Sequence, residues 1–522
     1  MKTAADKVEV VIIGAGAAAS VYAAVLAEAG RSVTLLEAGP PWKLSDLYSS
    51  QLWARRLKWA EPHVEEATRD SLWFNLNAGR GYGGAALHHF GVWPRYHEED
   101  FKLASEYGKG LDWPIDYSDL RPYYDKVQQE VGVSGDAEAE IWRPPGDPYP
   151  LPPVPRFRQG ELLAKGFEAL DMNVAPVPVA VLTKPYKGRA ACIWDGWCEA
   201  GCPIGALANP LVEYIPRAEK AGANLQANSH VTRILTDASG KRATGVEYFN
   251  AAGERRELRA DVVVLTAFTI ENCRILLNSA TDAHPDGLAN SSGTLGHYIM
   301  SHPAANLFGM FDEDVQNHMG LNGGQLINQD RFDKTGSKEG FGSRQFIAGL
   351  AVKPNDILGI SMTRADLFGR SLAEFMPRAA RGMAAMVTIN EDQPLPENRV
   401  ELGDEKDEFG FRRARIVYKT SGDGMALWNE GVEEGKRILK AAGAKDIWNG
   451  PKVAQHIMGG TIMGGEASKS VTNAWSQTHD LGNLFIGGPS VFPTSSCANS
   501  TFTLHAVAMM SAEYLSQNFD SI

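Results

Sequence analysis

The sequence predicts an α/β fold that begins with a Rossmann-like dinucleotide-binding unit, and three observations in residues 8–37 predict it. The run from Val8 to Ile13 is β-branched and apolar on both faces, as in a buried parallel strand. It leads into the glycine-containing loop Gly14-Ala-Gly16-Ala-Ala-Ala19. A helical pattern of Ala, Val and Leu over residues 18–29 and a second strand over residues 32–37 then complete a βαβ unit.

The glycine loop predicts a binding site for a pyrophosphate group. Gly14 and Gly16 allow the backbone to turn and approach a phosphate at a helix N-terminus, where free N–H groups and the helix dipole favour anions. Ala19 occupies the third small position of the motif. Glu37 ends the second strand, where a carboxylate accepts hydrogen bonds from ribose hydroxyls and disfavours NADP. The alternative is a structural glycine turn in an unrelated α/β domain.

Length and composition exclude several other classes of protein. The 522 residues allow about three domains, and 44% hydrophobic with 22% charged residues is typical of a globular chain. With 51 basic and 63 acidic residues the formal charge is −12, so we expect no nucleic-acid partner and no anionic membrane surface. The uncharged segment 10–27 is rich in Ala and Gly rather than Leu. We therefore expect neither a direct membrane span nor a targeting signal in this chain.

Five sequence blocks resemble, in the same order, those of the glucose-methanol-choline (GMC) oxidoreductases. They are the N-terminal βαβ unit, the stretch Gly79-Arg80-Gly81-Tyr82-Gly83-Gly84 with His88 and His89 after it, the segment 112–124, the segments 228–235 and 261–277, and the segments 483–494 and 499–503. This resemblance implies FAD as the cofactor. It places Arg80, Gly83, Gly84 and His88 in a flavin-contacting loop, the backbone of Val231 near the adenine, and Gly488, Asn499, Ser500 and Thr501 over the flavin. Whether His88 is covalently joined to the flavin stays open.

The resemblance also implies the domain organisation. We expect a discontinuous FAD-binding domain formed by residues 1–160, 205–300 and 451–522, and a cysteine segment at 161–204. Residues 301–450 are expected to form an α+β substrate-binding domain on an antiparallel sheet. Strands predicted at residues 398–402 and 413–418 are assigned to that sheet.

The segment from Gln455 to Gly464 resembles the family's catalytic-histidine segment. Neutral imidazole is a general base near physiological pH, so His456 is expected to accept the proton of a substrate hydroxyl while hydrogen leaves the carbon as hydride to the flavin. Asn499 stands where family members have His or Asn. It is expected to hold the hydroxyl oxygen by a hydrogen bond without acting as a base.

Cys192, Cys198 and Cys202 lie within eleven residues of a chain with five cysteines. This motif resembles a branch of GMC proteins, the catalytic α subunits of bacterial FAD-dependent glucose, glucoside and polyol dehydrogenases. Three nearby thiolates suit an iron–sulfur cluster, and three ligands imply the 3Fe–4S type, because a four-iron cluster or a structural zinc takes a fourth ligand. A histidine as a further ligand, three free thiols, and one disulfide with a spare thiol stay open.

The sequence therefore predicts an FAD-dependent sugar dehydrogenase that oxidises C1 of an aldose or C3 of a glucoside. In the relatives, electrons pass through the cluster to a cytochrome c, and a small chaperone-like subunit supplies the export signal. The resemblance accordingly implies a periplasmic enzyme exported through such a partner, or a cytoplasmic one. Two alternatives are an oxygen-using pyranose or glycoside oxidase and a noncatalytic flavin-binding scaffold.

Overall fold

The computed structural model describes residues 7–59, 64–66, 72 and 74–522. Within these residues the strands are β1 (Lys7–Ile13), β2 (Val33–Leu36), β3 (Val64–Glu66), β4 (Ala175–Pro176), β5 (Asn224–Gln226), β6 (His230–Thr236), β7 (Ala243–Phe249), β8 (Arg255–Leu265), β9 (Met300–Met310), β10 (Leu326–Arg331), β11 (Arg344–Ala348), β12 (Met383–Asn390), β13 (Arg399–Lys406), β14 (Arg412–Val417), β15 (Ile447–Asn449), β16 (Val453–Met458) and β17 (Leu484–Ile486). The helices are α1 (Ala17–Glu28), α2 (Gln51–Ala54), α3 (Leu103–Tyr107), α4 (Tyr117–Val131), α5 (Arg158–Glu168), α6 (Tyr214–Lys220), α7 (Thr269–Asn278), α8 (Pro354–Ser361), α9 (Gly369–Gly382), α10 (Gly422–Ala441) and α11 (Thr501–Asn518).

The first sheet has the order β5-β2-β1-β8-β7-β6, with β17 beside β8. Strand β1 runs parallel to β2 and β8, and β17 runs parallel to β8, whereas β6 and β7 extend the sheet in antiparallel fashion. The β-branched residues of β1 are buried on both faces, and helices α1 and α11 pack against each other over the sheet. The carboxyl ends of β1, β2, β8 and β17 therefore meet at one edge, where open parallel sheets bind ligands.

The second sheet is antiparallel and has the order β15-β9-β12-β11-β10-β4, with β16 beside β9. Helix α10 covers one of its faces, where Leu307, Phe346, Ile438 and Leu439 form part of a buried apolar cluster. The opposite face is also apolar and includes Ile347 and Ile389. The first sheet thus has its own core, and the second sheet has a separate apolar cluster on each of its two faces.

The domain ranges expected from the sequence can be compared with these sheets. Every strand of the first sheet lies within residues 1–160, 205–300 or 451–522. Strands β4 and β16 pair within the second sheet, and α5 packs on α10, although all three lie outside residues 301–450. The strands expected at residues 398–402 and 413–418 form as β13 and β14, but they pair with β3 in a small third sheet instead of joining the substrate sheet.

Among the described residues, no helix has the length and apolar character needed to cross a lipid bilayer.

Candidate active site

A cavity of about 550 Å³ lies between the carboxyl edge of the first sheet and the apolar face of the second sheet. One wall consists of loops that follow β1, β2, β8 and β17, and the other includes Asn306, Ile347, Val387 and Ile389. Two regions of this cavity differ in chemistry. We call the part around the glycine loop the nucleotide end and the part around His456 the catalytic end.

At the nucleotide end the glycine loop has the backbone shape that the sequence predicts. Gly14 has a φ of +97°, and a Cβ added there would lie 2.6 Å from the carbonyl oxygen of Thr266. Gly16 precedes α1, whose first turn has no acidic side chain and no capping side chain. Both glycines line the cavity. The open N–H groups of the first turn of α1 therefore face a space that a phosphate can enter.

Ala19 does not line the cavity. It is fully buried on α1 within the apolar core of the first sheet. Its small side chain allows close packing of helix on strand, which is the role that the third position of this motif has.

Glu37 lines the cavity and ties three loops together. One carboxylate oxygen accepts a hydrogen bond from the backbone N–H of Ala15 at 2.9 Å. The other accepts from the N–H groups of Gly39 and Gly81 at 2.8 and 2.9 Å. Each carboxylate oxygen has two lone pairs, so capacity for a ribose hydroxyl remains. The bracing role of Glu37 was missed in the sequence, because it depends on Gly81, 44 residues further along the chain.

The second glycine-rich stretch packs directly on the first loop. The N–H of Gly83 donates to the carbonyl of Ala15 at 2.9 Å, and a Cβ added at Gly84 would lie 3.1 Å from the Cα of Gly16. Gly84, Arg80 and His88 line the cavity. Gly83 does not line it and acts through its bond to Ala15 and its φ of +97°. His88 is buried, and burial is the main cause that lowers its pKa to about 3.

Val231 lies on β6 and lines the nucleotide end beside His230. The His230 ring stacks on Phe409 with 4.6 Å between centroids. Both of its ring nitrogens are buried and, like Nε of Arg80, have no hydrogen-bond partner among the described residues. Buried polar atoms are normally satisfied, so these atoms fit a polar ligand such as a dinucleotide at this end.

A second helix N-terminus opens onto the cavity. Helix α11 begins at Thr501, and Ser500 before it caps no backbone group with its side chain. Asn499, Ser500 and Thr501 line the cavity, as does Gly488, whose φ is +95°. The N-termini of α1 and α11 therefore both present free N–H groups and positive dipole ends to the same cavity.

The catalytic end brings together the two residues predicted to carry the chemistry. Nε2 of His456 lies 3.4 Å from Nδ2 of Asn499, and both side chains line the cavity. His456 is on β16 at a shift in the pairing register, with a φ of +57°. Burial, followed by the charge of His302, lowers the pKa of His456 to about 3, so its imidazole is neutral near pH 7.

Two further residues of the catalytic end were missed in the sequence. Nδ1 of His302 lies 2.8 Å from Nδ1 of His456, and Nε2 of Gln345 donates to Oδ1 of Asn499 at 2.9 Å. Both lie more than 150 residues from their partners in sequence and belong to β9 and β11. The spacing of residues within a short sequence motif cannot predict contacts over such distances in sequence. His302 lies on a strand that also carries Ser301 and Asn306, so its polar character does not distinguish it in the sequence.

The cysteine segment lies behind the second-sheet wall of the cavity. Cys198 is buried and belongs to an apolar cluster with Val92, Ile347 and Val387, three residues that also line the cavity. Cys192 and Cys202 are half-buried against the same cluster. The apolar cluster that contains Cys198 therefore extends to the wall of the cavity.

All five cysteines of the chain are free thiols, so the structure contradicts the alternative of a disulfide with a spare thiol. The sulfur of Cys192 accepts a hydrogen bond from the N–H of Trp194 at 3.3 Å, and that of Cys202 accepts from Leu207 at 3.4 Å. Burial raises the pKa of Cys192 to about 12. In the part of the chain that is described, no three His, Cys, Asp or Glu side chains form a site for a single metal ion.

The sheet order and the glycine loop at its carboxyl edge define a Rossmann-type dinucleotide-binding protein. Comparison with known families agrees, because residues 12–41 match the NAD(P)-binding Rossmann-like domain. Residues 157–304 and 394–508 match the N-terminal and C-terminal models of the GMC oxidoreductases.

Relatives with assigned activities resemble almost the whole chain. It is 32% identical to 2-methyl-1,2-propanediol dehydrogenase of Mycolicibacterium austroafricanum, over 100% of this chain and 97% of the relative. It is 30% identical to the fructose dehydrogenase large subunit of Gluconobacter japonicus, over 97% of each. Formate oxidase of Aspergillus oryzae, in a structure that concerns modification of its FAD, has a TM-score of 0.69 at 15% identity, over 99% of each chain. The chain belongs to the GMC oxidoreductase family and is an oxidoreductase.

Proposed function

We propose that this protein is an FAD-dependent dehydrogenase that oxidises a hydroxyl-bearing carbon of a sugar, at C1 of an aldose or C3 of a glucoside. The observation that carries the proposal is the pair His456 and Asn499, 3.4 Å apart in a cavity whose other end has the backbone shape of a dinucleotide site. Fructose dehydrogenase and a diol dehydrogenase are among the relatives, which supports a polyhydroxylated substrate.

FAD fits the residues at the nucleotide end. The helix N-termini of α1 and α11 would face its phosphates and flavin, Glu37 its ribose, and Val231 its adenine. When bound, FAD supplies the acceptor for the hydrogen that leaves the substrate carbon with its electron pair.

The residues of the catalytic end would bind and deprotonate the substrate. Neutral His456 can accept the hydroxyl proton at Nε2, while Nδ2 of Asn499 donates a hydrogen bond to the same oxygen. Asn306 and Asn322 line the cavity and can bind further hydroxyl groups of the substrate. The apolar residues Ile347, Val387 and Ile389 exclude water from this wall.

We propose further that Cys192, Cys198 and Cys202 hold a 3Fe–4S cluster, which would supply a one-electron outlet. Backbone N–H groups donate to two of the sulfurs, and such bonds stabilise cluster thiolates. In a cluster each thiolate binds a different iron, so the sulfurs lie further apart than in a site for one ion. The lack of a single-metal site among the described residues therefore does not argue against a cluster.

The acceptor that we propose is a cytochrome c, with a small export subunit as a second partner. Apolar side chains are exposed around the cysteine segment. Ile193 lies within the segment, and Tyr48 and Leu52 lie in residues 48–54, which include α2. The hydroxyl of Ser49 donates a hydrogen bond to Asp195, which joins residues 48–54 to the cysteine segment. Exposed apolar patches of this kind favour protein partners.

Replacing His456 tests the catalytic proposal. His456→Ala should lower the rate constant of anaerobic flavin reduction by sugar about 10²-fold or more, because the general base is lost, while FAD stays bound. Stopped-flow bleaching of the flavin band with a panel of aldoses, glucosides and polyols measures this rate and identifies the substrate. His479→Ala is the control, because His479 bonds Ser470 and does not line the cavity. Near-normal reduction in His456→Ala would exclude His456 as the base, and a flavin that no compound bleaches would favour a noncatalytic scaffold.

Replacing a cysteine tests the cluster. Cys198→Ser should abolish bound iron and acid-labile sulfide and stop turnover with cytochrome c, but leave single-turnover flavin reduction intact. Cys273→Ser is the matched control. Cys273 is a buried free thiol that packs among apolar side chains away from the cysteine segment, so its replacement should leave the iron content unchanged. Wild-type protein that lacks iron and forms peroxide with oxygen would instead identify an oxidase.

A further inference from the structure

His302 lies behind the proposed base and does not line the cavity. It is on β9, is fully buried, and pairs in register with Gln455. The irregular pairing of β16 after Gln455 turns the His456 ring edge-on to His302, with 5.0 Å between centroids and 77° between planes. A bulge of this kind re-aims a side chain, and here one edge of the His456 ring faces His302 and the other faces Asn499.

The hydrogen bonds of His302 determine which of its nitrogens carries the proton. Nε2 lies 3.0 Å from the backbone carbonyl of Ser495, which can only accept, so Nε2 is the protonated nitrogen. Burial lowers the pKa of His302 to about 4, and the ring is therefore neutral near pH 7. In a neutral imidazole with a proton on Nε2, Nδ1 has a free lone pair.

The same reasoning extends to His456. Its Nδ1 lies 2.8 Å from Nδ1 of His302, and two lone pairs would repel at that distance, so Nδ1 of His456 must be the donor. His456 is also neutral, which leaves its Nε2 unprotonated. The amide of Asn499 agrees: Gln345 donates to its Oδ1, which leaves Nδ2 as the group that faces Nε2 of His456.

We propose that His302 is a positioning residue that fixes His456 in the tautomer with the proton on Nδ1, so that Nε2 is always available as the base. Ser495, His302 and His456 form a series of hydrogen bonds. The carbonyl of Ser495 fixes which group donates in each of these bonds, because a carbonyl oxygen can only accept. Without His302, His456 could place its proton on Nε2 and could not then accept the hydroxyl proton. The inference rests on the proposed role of His456, although the tautomer itself can be measured independently.

Nitrogen NMR of protein labelled with ¹⁵N-histidine tests the tautomer without any substrate. We expect a protonated Nδ1 and an unprotonated Nε2 for His456 between pH 6 and 8, assigned by the signals lost in His456→Gln. In His302→Asn an amide oxygen can still accept from Nδ1, so the same tautomer should persist. In His302→Leu the signals should shift toward the other tautomer. A proton on Nε2 of His456 in the wild-type protein would overturn the proposal.

Flavin reduction provides the second readout. His302→Leu should lower its rate constant about 10²-fold at saturating sugar, with FAD content and sugar affinity unchanged, and His302→Asn should regain at least tenfold of that loss. Equal rates in wild type and His302→Leu would contradict the proposal. If His456→Ala is fully active while the NMR tautomer is as expected, the role of His456 as a base is wrong and the positioning of its ring still stands. Should His302→Leu fail to fold, His302→Phe takes its place, because a phenyl ring fills the same space without an acceptor, and an unchanged His456 tautomer in His302→Phe would overturn the proposal.

Discussion

The two ends of the cavity are built from different parts of the chain. At the nucleotide end the working groups are backbone N–H groups and glycines, and the side chain of Glu37 ties three loops together. At the catalytic end they are side chains from β9, β11, β16 and the start of α11, each oriented by another side chain. Backbone geometry is encoded locally, whereas the catalytic end exists only once two sheets have assembled. The first end should therefore be sensitive to added atoms and the second to lost hydrogen bonds.

The largest effect is expected when one methyl group is added at Gly14, at the nucleotide end. Gly14→Ala forces a positive φ on a residue with a side chain and places Cβ 2.6 Å from the carbonyl oxygen of Thr266. The strain alone is about 1–2 kcal/mol, and the clash adds to it. We expect purified Gly14→Ala to retain no FAD, measured as the ratio of flavin absorbance to protein.

Gly30→Ala separates strain from collision. Gly30 has a φ of +86°, but a Cβ added there meets nothing within 4 Å. It should therefore lose about 1 kcal/mol of stability through strain and bind FAD as the wild type does. If Gly14→Ala also retains FAD, the backbone of the loop does not shape the site and the contrast between the two ends fails.

A smaller effect is expected from a lost hydrogen bond at the catalytic end. Gln345→Leu frees the amide of Asn499 to rotate, so Nδ2 no longer faces the site in every molecule. We expect flavin reduction to slow by about tenfold, the size of one hydrogen bond of roughly 1.4 kcal/mol, with FAD content unchanged. Gln393→Leu is the control, because Gln393 is also buried and has no bond to Asn499. Equal rates in the two variants would show that Asn499 needs no support.

The same contrast explains what the sequence could predict. The βαβ unit, the glycine loop and Glu37 follow one another within 30 residues, so periodicity and spacing predicted them. His456 and Asn499 came from resemblance to the family's motifs, and the structure brings them together. Gln345 and His302 were not predictable, because His302 meets His456 through the pairing of β9 with β16, and Gln345 meets Asn499 in a loop 154 residues away. Strands β13 and β14 were predicted as strands, but their pairing with β3 was not, since pairing partners have no local signal.

The smallest effect is expected from a change of pH. FAD content measures the nucleotide end, and the rate of flavin reduction measures the catalytic end. Backbone N–H groups at the nucleotide end do not titrate in this range. Burial lowers the pKa of His88 to about 3 and also lowers that of His230, so FAD content should be constant from pH 5.5 to 8.5. At the catalytic end, burial and the charge of His302 lower the pKa of His456 to about 3. The base acts only when unprotonated, so its activity is lost as pH falls through that pKa and is complete above it.

The rate constant of flavin reduction at saturating sugar should accordingly be flat over the same range. A histidine with an ordinary pKa near 6.5 would be about nine-tenths protonated at pH 5.5, and the rate would fall about tenfold. Stopped-flow measurements at constant ionic strength distinguish these outcomes. A tenfold fall at constant FAD content would show that His456 is hydrated or differently paired during turnover, and that the catalytic end is less enclosed than its hydrogen bonds to His302 and Asn499 indicate.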